Sequence, residues 1–421
     1  MAQPEEEAIY TTIGTTSEPA AAPVTLTLYA RFQNRVARTG DANDHYDRDI
    51  QSPKSINYLP QANKFYVHSL EGFRTVVYSL DSLEKLKVIN HHFNNSNQHL
   101  FKNGEYQPFD YHYKYRQSDF NIFKGKPVES AFSHNGRYLW VTYYRRSYDR
   151  NSQSPSAVAI IDTETDEIVR VMPTGILPKM IASSPDNRYV VITHWGDNTL
   201  GVIDITGDDP MAFHYIKHLT VNKRLSLNFD TGEKVNRDKN CGYCLRGTTF
   251  TPDSRYLLVG RMGGGGIAVF DVNNDFTYLG TTFTPHANIR HLLVKGDYLY
   301  MSTNVNGYVD KLNWHDLIAD RLAHAGKSSR LPVESCFVGK GARTIVITED
   351  GRYVFASVNN ASKIAVVDTQ TMKLVASIAA DSFPVGLELA ADDKYLLSTA
   401  QGRYQVGGGH TVCVYKVSYR Q

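Results

Sequence analysis

A short polar turn recurs along the chain and constrains its fold more than any other feature. Each copy is followed by an aromatic residue and an apolar run, which is typical of a strand leaving a tight turn. The clear copies are SHNGRY at 133–138, SPDNRY at 184–189, TPDSRY at 251–256, TEDGRY at 348–353 and AADDKY at 390–395. Because one turn recurs at long intervals, the chain is built from structural repeats.

The copies, with two weaker ones, define seven units. Their aromatic markers are on average about 55 residues apart, slightly more than a minimal four-stranded blade requires, and are Phe65, Tyr138, Tyr189, Tyr256, Tyr298, Tyr353 and Tyr395. A second apolar run follows each turn and usually ends in Asp, as in AVAIID at 157–162. This pattern predicts an all-β, seven-bladed β-propeller with four-stranded antiparallel blades.

The ends of the chain fit closure of a ring. The last unit is one strand short, and VTLTLYARF at 24–32 alternates well enough to supply it. An N-terminal strand in the last blade would remove free sheet edges. Residues 1–23 are rich in Thr, Ala, Pro and Glu and show no periodicity, which predicts a flexible leader or tether. We therefore expect one propeller domain over 24–421, with an insertion at 94–123 between blades one and two.

One unit also resembles a known family. The stretch LPKMIASSPDNRYVVITHWGDNTLGVID at 177–204 is similar to the motif of the YVTN-repeat propellers, and the resemblance extends over roughly residues 50–421. It implies a seven-bladed propeller of the bacterial, extracytoplasmic type. It implies little about activity, because this fold hosts ligand binders, lactonases, lyases and cofactor-bearing subunits.

Aligning the units places cations at the start of five predicted inner strands. These residues are Lys54, Lys179, Arg246, Arg290 and Arg343, whereas blades two and seven have Val128 and Val385. Several like charges around one opening repel each other unless they are neutralised. Carboxylates such as Glu129, Asp197 or Asp310 could do so internally. Alternatively, the opening binds an anionic ligand through its carboxylate, phosphate or sulfate.

The loops expected on the same face carry further candidate ligand-binding residues, which are Arg145, His194, Trp195, Arg261, Arg403 and Tyr404. The insertion at 94–123 is dense in Tyr, Phe and His. It either covers the opening as a lid, with rings that stack on a sugar or another planar group, or packs against the edge of the propeller.

Three functions are compatible with these groups. The first is a non-catalytic propeller of the cell envelope that captures an anionic small molecule or an acidic glycan. It is favoured because the inner-strand positions offer no carboxylate pair of the kind used in glycoside hydrolysis. The alternative is an enzyme, a uronate lyase or a lactonase, with His194, His291 and Tyr143 as candidate catalytic residues. The third is a protein–protein interaction platform, so enzyme status stays open.

The cysteine pattern restricts which cofactors the chain could bind. The CxxC of Cys241 and Cys244 is followed by Leu, which excludes a c-type haem site. It has no second cysteine pair to complete a zinc site. A local disulfide and two free thiols both fit the motif, and we expect neither a metal nor a cofactor.

Charge and hydropathy bear on partners and location. A net charge of +2 gives no reason to expect a nucleic-acid partner. No apolar run reaches the roughly 18–20 residues that span a bilayer. A leader without a visible signal peptide fits either a cytoplasmic protein or a chain whose signal has been removed, and its tether-like composition favours the second. We therefore expect an extracytoplasmic location, in the periplasm or at the cell surface, compatible with a lipid-anchored N-terminus and an envelope protein as partner.

Overall fold

The computed structural model describes residues 10–34, 40–102, 121–227, 234–402 and 409–420. It is an all-β, seven-bladed propeller with four-stranded antiparallel blades, so the fold predicted from the repeats is confirmed. The chain divides into two compact units. Unit 1 comprises the described residues within Met1–Val88, Leu299–Leu312 and Val333–Gln421, and unit 2 comprises those within Ile89–Tyr298 and Asn313–Pro332.

The strands follow the repeats closely. The chain begins with β1 (Val24–Gln33) and β2 (Asp44–Tyr46). Blade one contains β3 (Pro53–Leu59), β4 (Lys64–Ser69), β5 (Arg74–Ser79) and β6 (Lys85–Asn90). Blade two contains β7 (His92–Phe93), β8 (Phe123–Ser133), β9 (Tyr138–Arg146), β10 (Pro155–Asp162) and β11 (Glu167–Ile176). Blade three contains β12 (Pro178–Ser183), β13 (Tyr189–His194), β14 (Thr199–Asp204) and β15 (His214–Thr220).

The later blades include one helical insertion. Blade four contains β16 (Leu245–Phe250), β17 (Tyr256–Arg261), β18 (Ile267–Asp271) and β19 (Thr277–Phe283). Blade five contains β20 (Ile289–Lys295), β21 (Tyr298–Thr303) and β22 (Tyr308–Asn313), followed by helix α1 (Trp314–Ala323). Next come β23 (Ser329–Arg330), which adds to blade four, and β24 (Glu334–Phe337), which completes blade five. Blade six contains β25 (Ala342–Ile347), β26 (Tyr353–Val358), β27 (Lys363–Asp368) and β28 (Lys373–Ala379), and blade seven contains β29 (Pro384–Ala390), β30 (Tyr395–Ala400) and β31 (Thr411–Tyr419). Single-turn 3-10 helices lie at Pro60–Ala62 and His134–Gly136, and a longer one at Asn95–Leu100.

The last blade is closed by the N-terminal strand. β1 pairs antiparallel with β31, from Val24 opposite Tyr419 to Gln33 opposite Thr411. The sheet order is β2-β1-β31-β30-β29, as the missing strand of the last unit predicted. Main-chain pairing between the two ends of the sequence ties blade seven together.

The prediction of a flexible leader is wrong for residues 10–22. Thr16 bridges to Thr27, and Glu18 bridges to Ser377. The backbone N–H and the hydroxyl of Thr11 both donate to Asp381 Oδ1, at 2.8 Å each. These hydrogen bonds fix the segment on blades six and seven, because each satisfies a polar group that would otherwise be buried. Residues 1–9 lie outside the described ranges.

A buried ion-pair cluster lies beneath this segment and is named here the closure cluster (Thr11, Arg31, Asp44 and Asp381). Arg31 and Asp381 are each 1% exposed, with Arg31 Nε 3.0 Å from Asp381 Oδ2 and Arg31 Nη2 donating to Oδ1 at 3.0 Å. Asp44 lies 3.6 Å from Nη1. The bidentate geometry makes this a strong, orientation-specific contact.

The recurring turn has a local cause that its sequence explains. In SPDNRY the Ser184 hydroxyl donates to Asp186 Oδ1 at 2.6 Å, and the backbone N–H of Tyr189 donates to the Ser184 oxygen at 2.9 Å. Thr251 and Asp253 repeat this arrangement before Tyr256, as do Thr348 and Asp350 before Tyr353. The turn joins the first strand of a blade to its second, so it is scaffold.

The apolar core lies between adjacent blades. In unit 2, Trp140 of blade two packs with Ile192 and Phe213 of blade three, and its Nε1 donates to the Ser133 hydroxyl at 2.8 Å. In unit 1, Phe355 of blade six shares a cluster with Leu396 and Tyr415 of blade seven. Within each unit, apolar side chains of these neighbouring blades therefore fill the space between their sheets.

Candidate functional site

The candidate site lies in unit 2, where the first strands of adjacent blades approach each other. A Cβ added at Gly247 on β16 would lie 2.8 Å from the Leu292 backbone nitrogen on β20. Only glycine allows this approach, which brings the first strands of blades four and five together. The residues at the start of these strands and of β12 form what we name the inner cation cluster (Lys179, Arg246 and Arg290, with the carboxylates Glu129 and Asp238).

Lys179 is the most enclosed amine of the cluster. Its side chain is 14% exposed, and its Nζ lies 2.8 Å from Asp238 Oδ1. The Nζ also lies 4.0 Å from the centroid of the Trp195 ring and 4.9 Å from that of Tyr144. Trp195 Nε1 donates to the Asp238 carbonyl at 3.1 Å, and the Tyr144 hydroxyl donates to Asp238 Oδ2. One carboxylate and two rings thus surround the amine.

This environment shifts the protonation of Lys179. Burial, together with the positive charges of Arg246 and Arg290, lowers its pKa to about 7, although Asp238 acts in the opposite direction. Burial would raise the pKa of Asp238, but the Lys179 ammonium and the Tyr144 hydroxyl hold it below its ordinary value. At neutral pH a large fraction of Lys179 is therefore the neutral amine.

Arg246 is the most deeply buried cation of the cluster, at 4% exposure. Its Nη2 lies 2.5 Å from Glu129 Oε1 on β8. Burial lowers the pKa of Arg246 even though Glu129 acts to raise it. A guanidinium stays protonated at physiological pH, so Arg246 keeps its charge in this buried position.

Arg290 and His291 adjoin on β20 and are both half-buried. Arg290 Nη1 donates to the Met262 sulfur at 3.6 Å. Burial, together with the charges of Arg246 and Arg290, lowers the pKa of His291 to about 4. His291 is therefore a neutral imidazole at pH 7. Two separate titratable groups, Lys179 and His291, thus report a positive potential created by the same two arginines.

The other two predicted inner-strand cations belong to unit 1. Lys54 is half-buried on β3, and its carbonyl accepts a hydrogen bond from the Thr399 hydroxyl. Arg343 is 7% exposed, with its guanidinium carbon 5.6 Å from the Phe383 ring centroid. The alignment therefore located real first-strand positions in both units.

His194 lies inside blade three. It is 0% exposed; its Nε2 accepts from the Gly175 N–H at 3.0 Å, and its Nδ1 lies 2.9 Å from the Thr199 hydroxyl. The same cross-strand pair occurs in blade one, where His68 is opposite Thr75 and their polar atoms are 2.9 Å apart. Burial lowers the pKa of both histidines. Since the arrangement recurs between the second and third strands of two blades, it serves the scaffold, which corrects the prediction that His194 contacts a ligand.

Tyr143 is also placed in the core. It is 0% exposed, and its hydroxyl lies 2.7 Å from His91 Nδ1. Its ring contacts Phe93 and Phe123, and a Cβ at Gly125 would lie within 2.6 Å of it. Burial raises its pKa well above the ordinary value, so it stays a neutral phenol. Its position corrects the prediction of Tyr143 as a catalytic acid or base.

The remaining candidates separate into three groups. Trp195 and Arg145 belong to the cluster region: the Arg145 guanidinium carbon lies 4.9 Å from the Tyr144 ring centroid. Arg261 is buried against the ring of Tyr243, at 3.7 Å, and donates to Thr281 at 3.2 Å, so it acts as a packing residue. Arg403 and Tyr404 lie outside the described residues, as do residues 103–120 of the insertion that was predicted as a lid.

One group of side chains in the described ranges has the spacing of metal ligands. Potential ligand atoms of His194, Asp197 and His218 lie within 4.8 Å of one another. Both ring nitrogens of His194 are already engaged, because Nε2 accepts from Gly175 and the Nδ1 proton then points to Thr199. Thr199 in turn donates to Asp197 Oδ1 at 2.6 Å. This hydrogen-bond chain fits a structural role and leaves the His194 ring unsuited to ligate a metal.

Cys241 and Cys244 form a disulfide, which decides between the alternatives that the CxxC motif left open. The backbone N–H of Gly263 donates to the Tyr243 carbonyl at 2.9 Å, so the disulfide-bonded turn rests on the glycine-rich segment after β17. Cys336 and Cys413 are buried thiols.

Sequence reasoning missed Asp238 and Tyr144. Asp238 lies in the segment between β15 and β16, and neither its spacing nor its neighbours mark it as a partner of Lys179. Tyr144 adjoins Tyr143 in the sequence, but strand alternation sends the two rings to opposite faces of β9. The prediction from the sequence named Tyr143, the buried member of that pair, instead of Tyr144.

Comparison with known proteins identifies the family. The model of the family described as "Lactonase, 7-bladed beta-propeller" matches residues 131–407, about two thirds of the chain. The chain belongs to this lactonase propeller family. The family membership confirms the seven-bladed propeller, while the YVTN-repeat resemblance stays a prediction. No curated protein matches the chain.

Solved structures similar to this lactonase-family propeller share its fold at low sequence identity. Kuenenia stuttgartiensis hydrazine synthase aligns with a TM-score of 0.59 and 12% identity, over 91% of this chain and 99% of that chain. The Myceliophteria thermophila Cps50 (Swd1) β-propeller domain aligns with a TM-score of 0.58 and 13% identity, over 87% and 97%. A chain of the mitotic checkpoint complex gives 0.57 and 11%, over 100% and 97%. At such identities the likeness concerns the fold alone.

Proposed function

We propose that this protein binds a small organic anion at the inner cation cluster of unit 2. The observation that supports the proposal is that three cations, Lys179, Arg246 and Arg290, hold the equivalent second position of the first strands β12, β16 and β20. Burial lowers the pKa of Lys179 and of His291, and the positive potential of Arg246 and Arg290 acts in the same direction. A bound carboxylate or phosphate would compensate that positive potential and accept charge-assisted hydrogen bonds from the guanidinium groups. The half-buried rings of Tyr144 and Trp195 would border such a ligand.

The test is a thermal-shift titration with phosphate, sulfate and glucuronate at low and moderate salt. Binding to the folded state raises the melting temperature by an amount that grows with the logarithm of ligand concentration above Kd, and salt should weaken the shift. Arg290→Gln should lower the affinity about tenfold or more, because one charge-assisted contact contributes roughly 1.5–3 kcal/mol. The matched control is Arg188→Gln, which removes a cation from the turn after β12. Equal shifts in both variants, or none with any anion, would contradict the proposal.

A second function, hydrolysis of lactones that carry an anionic group, is favoured by the family and by His291. A neutral imidazole beside two guanidiniums is suited to remove a proton from water, while an arginine stabilises the oxyanion formed on the lactone carbonyl. His291→Gln should then abolish turnover of an acidic lactone and leave binding of its ring-opened product intact. The measurement is proton release on hydrolysis, which should rise in rate through about pH 4 as His291 loses its proton.

The location stays a separate proposal. No helix among the described residues is long and apolar enough to cross a membrane. We retain the periplasm or cell surface as the proposed site of action, with an acidic glycan or an envelope protein as further proposed partners.

A further inference from the structure

The environment of Lys179 suggests chemistry beyond anion binding. We propose that Lys179 is a nucleophilic amine that forms an imine with small 2-oxo acids whose carboxylate is held by Arg246 and Arg290. The inference rests on the proposed anion site, and it assigns to that site a substrate class and a covalent step.

The position of the amine carries the first part of the argument. The side chain is held by a single carboxylate and lies between two aromatic rings, which limits its contact with water. The rings themselves would favour the ammonium through cation–π contact. Burial and the two neighbouring guanidiniums outweigh them, and the pKa falls to about 7. An unprotonated amine is the form that attacks a carbonyl carbon.

The neighbouring cations carry the second part. Lys179, Arg246 and Arg290 hold the equivalent second position of β12, β16 and β20, so a carboxylate bound by the two arginines would lie beside the amine. In a 2-oxo acid the carbonyl carbon adjoins the carboxylate. Binding of the carboxylate therefore places the carbonyl carbon beside Lys179. Such positioning of the two reactants lowers the barrier to attack.

Asp238 supplies the proton transfers. Its Oδ1 lies 2.8 Å from Lys179 Nζ and accepts the ammonium proton. The nitrogen lone pair then forms the C–N bond while the carbonyl π electrons move to oxygen, and Asp238 donates its proton to that oxygen. Asp238 next accepts one of the two nitrogen protons, which gives the neutral carbinolamine, and donates it to the hydroxyl, which leaves as water while the nitrogen lone pair forms the C=N bond. The net reaction is ammonium plus ketone to protonated imine plus water, with no oxidant or reductant.

The groups around Lys179 come from several elements. Tyr144 and Arg145 lie on β9, Glu129 on β8 binds Arg246, and Asp238 precedes β16. Tyr144 donates to Asp238 Oδ2 and so leaves Oδ1 as the oxygen that faces the amine. Tyr144→Phe should make Asp238 more basic and strengthen the ion pair, which would lower the rate of imine formation.

The experiment traps the imine. The full chain is incubated with pyruvate and cyanoborohydride at pH 7.5, and the product is measured by intact mass and peptide mapping. We expect one carboxyethyl group on Lys179, little reaction with the uncharged ketone hydroxyacetone, and at least a tenfold lower rate in Arg290→Gln. Lys179→Arg should abolish the adduct. The control Lys217→Arg, which alters a more exposed lysine paired with Asp275, should leave it unchanged.

The outcomes separate the two proposals. Carboxyethyl groups spread over surface lysines, or equal labelling in Lys179→Arg, would overturn the imine. Anion-dependent thermal shifts without any adduct would overturn it while the anion site stands, and the absence of both would overturn both. If Lys179→Arg fails to fold, the test is the labelling of the wild-type chain at pH 7, compared between Lys179 and Lys217. Labelling of Lys179 that is equal to or lower than that of Lys217 would contradict the inference.

Discussion

The closure cluster and the inner cation cluster both bury an arginine, but they differ in how many carboxylates neutralise its charge. Arg31 is held bidentately by Asp381 with Asp44 nearby. Burial would lower its pKa, yet Cys413 and Asp381 raise it above the ordinary value. Arg246 has one contact to Glu129, and burial prevails, so its pKa is lowered. The first cluster sets two carboxylates against one guanidinium, whereas the second sets two carboxylates against three cations.

This difference bears on which of the two clusters is the better candidate for the proposed binding site. A buried guanidinium paired with two carboxylates fixes one geometry, while the net contribution of the pairs to stability depends on desolvation. A cluster that keeps uncompensated charge costs stability, and such clusters concentrate at functional sites. The contrast therefore supports the assignment of the inner cation cluster, and not the closure cluster, as the binding site.

The largest expected effect is in the closure cluster. Asp381→Asn removes the carboxylate from Arg31 and weakens the acceptor for Thr11. Breaking one partner of a buried pair leaves the other charge uncompensated, so we expect the free energy of unfolding to fall by about 3–5 kcal/mol. Urea denaturation measures it. The control is Asp253→Asn in the exposed turn after β16, for which we expect about 1 kcal/mol or less.

A loss of less than about 1 kcal/mol in Asp381→Asn would contradict the contrast. It would mean that Asp44 alone can compensate Arg31 and that the two clusters are electrostatically alike.

The inner cation cluster should respond differently to removal of a whole pair. Arg246→Met alone leaves Glu129 without its cation and should cost about 1–3 kcal/mol. Adding Glu129→Gln should restore most of that stability, since an apolar and a neutral group need no compensation. Anion binding should stay lost in the double variant. Stability from urea denaturation and affinity from the glucuronate titration, measured on the same samples, give both results.

The corresponding pair in the closure cluster sharpens the comparison. Arg31→Met with Asp381→Asn should remain destabilised, because Asp381 also orders Thr11 at the N-terminal segment. Recovery in both double variants would show that the clusters differ in exposure alone.

The features that could be predicted from the sequence are local and recur in each blade. Ser184, Asp186 and Tyr189 hydrogen-bond within one six-residue turn, so their spacing could be recognised in every blade. The starts of the first strands followed from the same repeat and located Lys179 and Arg246. The Lys179 partner Asp238 is 59 positions away, in a segment without periodicity, and no local signal marks it.

The repeated units also contain a signal for the structural role of His194. Its pairing with Thr199 matches that of His68 with Thr75. Both pairs join the second strand of a blade to the third, so the sequences of these strands carry the pattern. Burial could not be predicted for Tyr143 and Tyr144, because adjacent strand residues face opposite sides and the sequence does not state which side faces the site.

The last expected effect is on the pH dependence of stability, where the change per pH unit is small. Folding lowers the pKa of Lys179 from 10.5 to about 7, so the unfolded chain binds more protons than the folded chain between these values. Stability should therefore rise with pH across that window, and Lys179→Met should remove this contribution. The slope of unfolding free energy against pH should fall by up to about 1 kcal/mol per pH unit relative to wild type. Lys217→Met, at an exposed ion pair, should keep the wild-type slope. Parallel curves for wild type and Lys179→Met would mean that Lys179 stays fully charged beside Asp238, and the inner cation cluster would then be as well compensated as the closure cluster.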